Sequence, residues 1–466
     1  MSAYRKHSKT RLVHSRVERL RSQAGWLWDE IWTWLGVEPN CMWQWVGMEV
    51  LKWRERRYSP MKTLRMFIGQ VVSADQSCQD AVARETGCGD QSGGQSTGPY
   101  CRARQRLPLK LLQRLVLESG ERLRARQATS WRWHGREVKL VDGTTVSMPD
   151  TKKNQACFPQ SRTQKAGLGF PVARLVAVVS LSCGAVLKWA TGPCAGKASG
   201  ETSMLRELAH GFGAGDLVMA DRYYAGYFML ATLIECGADI VIRQHQLRKT
   251  DFRRGKRLGK SDHVVDWPKP VRPRWMDHDT YIAMPDFLTL REVRVADWVI
   301  VTSLIDAKTV SRMELGALYP QRWQIELDLR SIKSVMQMAV LRCLTPDMVK
   351  KEIAVHLLAY NLIRAAMAQT AVLYNTHPRQ LSFKAAMQLL RASDIDARRD
   401  PGMTTSSRYD LLLCSIASNV LPRRPGRVEP RVKKRRSSNY PLMIKRRQEL
   451  RKPLIKQKDR IEAALR

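Results

Sequence analysis

The chain has 466 residues, 44% of them hydrophobic and 26% charged, a balance that supports a sizeable core in several domains and excludes a disordered protein. Its 79 Lys and Arg against 43 Asp and Glu leave a formal charge of +36, which calls for a polyanionic partner: nucleic acid first, with a membrane surface or a ribosome as the alternatives. Ten cysteines stand singly, with no CxxC pair and no matching histidines; that argues against a zinc site or a disulfide framework and fits reduced thiols in a cytosolic compartment.

The N-terminal "MSAYRKHSKTRLVHSR" is basic but lacks the apolar core of a signal peptide. Residues 1–130 read as helical. Seven of the fourteen tryptophans fall between Trp26 and Trp53, and the simplest use of them is a packed helical core. Ser59-Pro60 is expected to cap and open a helix over "MKTLRMFIGQVV". After the Gly-rich loop "GCGDQSGGQSTG", an arginine-loaded helix is expected over "YCRARQRLPLKLLQRLVLESGERLRAR".

From about residue 135 the pattern turns to strands. "REVKLVDGTTVSM" and a hairpin from Pro171 to Ala190 precede a helix (Glu201 to Gly211), the strand "DLVMAD", the helix "AGYFMLATLIECG" and the strand "ADIVIRQ", an α/β layer architecture. The longest apolar run, Leu175 to Leu187, is too short for a bilayer and reads as part of that hairpin. Residues 244–304, rich in charge and proline, read as an inserted β-rich subdomain ending in "DWVIVTSL". The chain is then helical to about 371. Residues 423–466 carry seventeen Lys or Arg against four acids and read as a tail that is either solvated or tracks a phosphate backbone.

Two aspartates lie where apolar strands are expected to end: Asp142 in "KLVDGTT", before a Gly turn, and Asp221 in "DLVMADRYY", before a helix. Such positions in an α/β sheet face a ligand, although Asp before Gly also forms turns and Asp after a strand also caps helices. Asp150 and Asp216 read as loop or turn residues. In "YPQRWQIELDLRSIK", Tyr319, Arg322, Glu326 and Lys333 stand at spacings of three, four and seven, within roughly 60° of one another on a helix. Ile325, Leu329, Ile332 and Met336 form an apolar stripe beside them. An Arg322–Glu326 ion pair accounts for two of the row. The other use of it is a carboxylate ligand flanked by cations that grip phosphate. Three carboxylates on separate elements can hold two divalent ions about 4 Å apart.

The row "Y-x2-R-x3-E-x6-K" resembles the signature of the IS4 family of DDE transposases and is matched at every position by Tyr319, Arg322, Glu326 and Lys333. "VDGTTVSMPDT" and "MADRYYAGYFML" resemble that family's two aspartate segments, "SADQSCQDAVARETG" and "YCRARQRLP" its N-terminal region, and "GRVEPRVKKRR" its basic C-terminal stretch. The tryptophan-rich segment has no counterpart among these motifs.

The resemblance implies an α/β, RNase H-like catalytic core (131–243 and 305–372) split by the β-rich insertion (244–304). A helical DNA-binding domain (1–130) precedes it and a helical, basic region (373–466) follows. It implies catalysis by Asp142, Asp221 and Glu326 on two Mg²⁺ ions, with Mn²⁺ as a substitute. It implies double-stranded transposon ends and target DNA as substrates, cut and rejoined through hairpin ends by a cytoplasmic, nucleoid-associated homodimer with no membrane attachment. Arg322 and Lys333 would hold phosphates, Tyr319 would place the terminal nucleotide, and Trp298 would stack on a flipped base unless it is simply a buried strand residue. Trp267 is a lesser choice. Arg102, Arg104 and Arg106 are candidates for contacts with the ends. Dimer contacts are expected in the C-terminal third, where "HLLAYNLIRAAM" offers one helix face that core packing can equally use. The alternative functions are a catalytically silent DNA-binding regulator and a structure-specific nuclease.

Overall fold

The computed structural model describes residues 27–37, 57–88, 96–196, 199–399, 403–422, 443 and 445–464. Most of the tryptophan-rich segment, Trp43, Trp45 and Trp53 included, and the basic run "GRVEPRVKKRR" lie outside these residues.

The N-terminal helices are α1 (Leu27–Trp34), α2 (Pro60–Val72), α3 (Cys78–Gly87), α4 (Gly98–Arg106) and α5 (Leu109–Ala125). Ser59 caps α2 as expected, its hydroxyl accepting from the Lys62 amide at 3.3 Å. The single helix expected after Tyr100 is instead two, parted at Leu107-Pro108. Proline has no amide to continue the ladder and pushes the preceding residue into extended backbone.

The sheet follows: β1 (Glu137–Ser147), α6 (Lys152–Cys157), β2 (Val172–Ser180), β3 (Val186–Pro193), α7 (Glu201–Ala209), β4 (Asp216–Ala220), α8 (Tyr227–Glu235) and β5 (Asp239–Arg243). Next come β6 (Lys256–Gly259), β7 (Asp262–Pro268), α9 (His278–Ala283), β8 (Phe287–Val295) and β9 (Trp298–Thr302). The helices that close the chain are α10 (Arg312–Leu318), α11 (Trp323–Arg330), α12 (Pro346–Leu373), α13 (Phe383–Arg399), α14 (Thr405–Ala417) and α15 (Arg447–Ala464). No described helix is long and apolar enough to cross a membrane.

All nine strands form one sheet in the order β3-β2-β1-β4-β5-β9-β8-β7-β6. The β1–β2–β3 meander is antiparallel, while β4 and β5 run parallel to β1. That half is a mixed sheet. The inserted strands β6–β8 do not form a sheet of their own: β9 pairs with β5 on one side and β8 on the other, so they extend the same sheet.

Side-chain alternation sorts the sheet's two faces. Leu140, Leu175, Ala177, Leu217, Met219 and Val241 join the core that also takes in α5, α11 and the buried α12. Val141, Val176, Val178, Val218 and Ile240 join a second core with α7 and α8. Strands apolar on both faces are what a sheet covered on both sides requires.

Candidate active site

Asp142 does not end its strand. β1 continues through Gly143, which pairs with Val176 of β2, to Ser147, and the expected Gly turn is absent because the backbone there is held in the β2 ladder. What ends is the parallel partner. The last β1–β4 pair is Val141 with Ala220, so Asp142, still paired with β2, and Asp221, just past the end of β4, each stand one residue beyond that pair. Asp142 Oδ1 accepts from the Gly143 amide at 2.8 Å. Burial pushes its carboxyl up to about 6, helped by the charges of Glu201 and Glu326 and opposed by the Gly143 amide and Arg322. Asp221 caps a 3₁₀ turn over residues 222–224, its Oδ1 accepting from the Arg222 amide at 2.7 Å.

The row from Tyr319 to Lys333 is helical, though not a single α-helix. Residues 319–322 form a 3₁₀ turn around Pro320, α11 follows, and residues 331–335 widen into a π turn with the Met336 amide donating to Ser331 O at 2.9 Å. Ile325, Leu329, Ile332 and Met336 are buried, as the apolar stripe requires, and α11 packs against β1. Glu326 is held by Arg322, Nη2 to Oε1 at 2.9 Å, and the guanidinium also lies within electrostatic reach of Asp142 and Asp221. Lys333 is half-buried, and that burial lowers its pKa.

Tyr319 departs from its expected role. It is buried, its hydroxyl donates to Ala220 O at 3.3 Å, and burial pushes that hydroxyl up to about 12. It therefore braces the strand end before Asp221 and does not present its ring to a nucleotide. Trp298 opens β9 half-buried, its ring edge-on to Tyr319 at 5.9 Å with the Arg243 guanidinium 5.5 Å from its centroid. Trp267 is interior, donating Nε1 to Glu292 Oε1 at 2.8 Å. Of the three arginines on α4, Arg102 and Arg106 are exposed. Arg104 is turned inward, a correction to its candidacy as a DNA contact. It donates to Gln70 Oε1 at 2.9 Å and to the sulfurs of Cys78 and Cys343 at 3.1 and 3.2 Å, against the face of Phe67.

Among the described residues, no three acidic, histidine or cysteine side chains are gathered closely enough to hold a metal ion as they stand. The donor set of Asp142, Asp221 and Glu326 is nonetheless all oxygen and anionic, which suits a hard divalent cation. Burial, and after it the charges of Glu201 and Glu326, raises the Asp142 carboxyl, a shift that a bound cation would oppose.

Sequence reasoning missed two contributors. Glu201, from α7, lies against Gly143. Asp328 is fully buried two residues past Glu326 and accepts from Tyr360, Arg364 and Arg379. The only local signal for the first was a glycine inside a strand, and for the second an acid within an apolar stripe.

Residues 133–362 match the family described as Transposase DDE domain, the stretch that spans both aspartates and the signature row. That stretch carries a transposase DDE domain. Over 356 residues, 72% of this chain and 78% of the relative, it is 29% identical to the transposase InsG for insertion sequence element IS4 of Escherichia coli (strain K12). Among solved structures, a chain in the cryo-EM structure of the piggyBac transposase synaptic complex with hairpin DNA aligns over 83% of both chains at 13% identity, with a TM-score of 0.41.

Proposed function

We infer that this chain is the transposase of its own insertion sequence, cutting DNA at the element's ends and joining them to target DNA. The observation that carries this is that Asp142 and Asp221 each stand one residue past the last β1–β4 pair, with Glu326 on the helix packed on β1 and within electrostatic reach of Asp142. Asp142, Asp221 and Glu326 would hold two divalent cations, Mg²⁺ or in its place Mn²⁺, which supply a more acidic attacking hydroxyl and a neutralised leaving oxygen.

The chain's own residues do the rest. Arg322, released from Glu326, grips a backbone phosphate through its planar fork, and Lys333 adds a point charge a few residues on. Tyr319 keeps Asp221 in place. Trp298, at the mouth of the site, takes the base displaced when a freed 3′-hydroxyl attacks the opposite strand to form a hairpin. One site serves nicking, hairpin formation, reopening and strand transfer because each is an in-line phosphodiester displacement. Residues 1–130 read the terminal repeats, and two copies hold the two ends together as a homodimer.

The test uses DNA carrying the two ends that flank the gene, Mg²⁺, and purified wild type beside Glu326→Gln on a denaturing gel. Cleavage at the ends by wild type alone supports the reading, and a product migrating as a hairpin supports that route. Salt-sensitive binding by both proteins with no cleavage by either, in Mg²⁺ or Mn²⁺, overturns catalysis in favour of a DNA-binding regulator.

A further inference from the structure

The register that brings Asp142 and Asp221 together stops one residue short of them. Past Val141 and Ala220 there is no further β1–β4 pair, so backbone pairing does not set the separation of the two carboxylates. Tyr319 steadies Ala220 from the signature-helix face.

On the opposite face stands Glu201, the first residue of α7. A Cβ built on Gly143 would lie 2.4 Å from the Glu201 carboxyl carbon and 2.6 Å from its Oε1; the carboxyl group fills the space a side chain at 143 would take. Its Oε2 accepts from the hydroxyl of Tyr224 at 3.3 Å, and Tyr224 is buried on the turn that Asp221 caps. Arg174 completes the arrangement, with Nε 3.7 Å from Oε1 and Nη1 donating to Ser199 O at 2.6 Å. Glu201 thus touches the residue after one aspartate and the turn begun by the other.

We propose that Glu201 is a positioning residue for strand cleavage: its carboxyl group, seated on Gly143 and bonded to Tyr224, sets the spacing of Asp142 and Asp221 from behind the sheet. This rests on the reading of those aspartates as the cleavage site. Glu201 acts through them and touches neither substrate nor reacting atoms. It also explains the glycine, since any side chain at 143 would evict the carboxyl group.

The test is a set of full-length variants: Glu201→Ala, Glu201→Gln, Gly143→Ala and the double Gly143→Ala/Glu201→Ala. Single-turnover cleavage of end DNA is measured across a Mg²⁺ titration, with the Kd for that DNA and the Tm recorded for each. Glu201→Ala is expected to lose about 10- to 100-fold in cleavage rate or in Mg²⁺ affinity at unchanged Kd and Tm. Glu201→Gln, which keeps the shape and the acceptor for Tyr224, is expected to recover most of that loss. Gly143→Ala should match Glu201→Ala, and the double variant should be no worse than either, because both changes remove one contact. A wild-type rate in Glu201→Ala, or losses that multiply in the double variant, would overturn the proposal. Absence of cleavage by wild type would count against the catalytic reading itself. Mn²⁺ binding followed by electron paramagnetic resonance needs no turnover: affinity at least tenfold weaker in Glu201→Ala and in Asp142→Asn supports the positioning role, and wild-type affinity in Glu201→Ala overturns it.

Discussion

Arg322 and Glu326 are bonded to each other at 2.9 Å across one turn of the signature helix, with side chains 16% and 33% exposed. An i,i+4 pair on one helix contributes only a few tenths of a kcal/mol, so on the proposed function a phosphate could draw off the guanidinium and a cation the carboxylate. On the proposed function, the ion pair and the grip on phosphate would be successive states of one latch.

Arg322→Ala is accordingly expected to leave the unfolding free energy within about 0.5 kcal/mol of wild type while lowering end cleavage at least tenfold. Arg322→Lys should recover little of the rate, because a point charge does not reproduce a bidentate fork. Urea melts beside single-turnover cleavage rates check both halves. Full activity in Arg322→Ala would remove the arginine from the phosphate-binding role.

Asp328 shows how the same helix is held still. Its carboxylate takes Arg379 Nη1 at 2.6 and 2.8 Å, the Tyr360 hydroxyl at 2.9 Å and the Arg364 guanidinium; Tyr360 and Arg364 are buried and the Arg379 side chain is 8% exposed. Arg379 continues to Ser180 O and Leu181 O at 2.8 Å each, tying α11 to α12 and to the end of β2. Asp328→Ala leaves two buried cations uncompensated and is expected to cost about 3–5 kcal/mol, read as a fall in the urea midpoint by tryptophan fluorescence. Asp328→Asn should fare little better, since an amide carries no charge to offset two guanidinium groups.

The signature row was legible because its logic is local: spacing alone puts Arg322 and Glu326 on one face and Ile325 and Leu329 on the next. Much of what surrounds it is not local. Arg104 looks like a surface cation in a basic helix, yet its partners Gln70, Cys78 and Cys343 lie 34, 26 and 239 residues away. Asp142-Gly143 carries a turn signal, but the glycine answers to Glu201, 58 positions on, and the ladder with β2 keeps the backbone extended. The inserted strands read correctly as β, while their continuation of the main sheet depends on β9 pairing on both edges, which no local pattern reports. The break before α5 was the exception: Pro108 was visible and outweighed by the arginine-rich run on either side.

The α4 arginines separate two effects that a basic helix otherwise confuses. Arg102 and Arg106 are exposed and Arg104 is 6% exposed. If the first two meet phosphates, Arg102→Ala/Arg106→Ala should reduce the slope of log K against log salt by about 1.8 with no change in Tm. Arg104→Ala should do the reverse, lowering Tm through its lost bonds to Gln70 and the sulfurs while leaving the salt slope intact. Filter binding across a salt series, alongside thermal melts, distinguishes them.

His356 gives the fold a sensitivity to acid. It is buried in α12, its Nδ1 has no hydrogen-bond partner among the described residues, and burial pushes its pKa down from 6.5 to about 3. Between those values the unfolded chain takes a proton that the folded chain refuses, so stability falls as pH drops below 6.5 and continues to fall toward the folded value. By pH 5 the loss from this residue is about 2 kcal/mol. Carboxylates titrate nearby in pH, so the measurement is a difference: the change in urea stability between pH 7.5 and pH 5 for wild type, minus the same change for His356→Leu. A smaller acid loss in the variant, by about that amount, is the expected outcome. Equal losses would mean that in solution the imidazole reaches water or an acceptor and is protonated without unfolding.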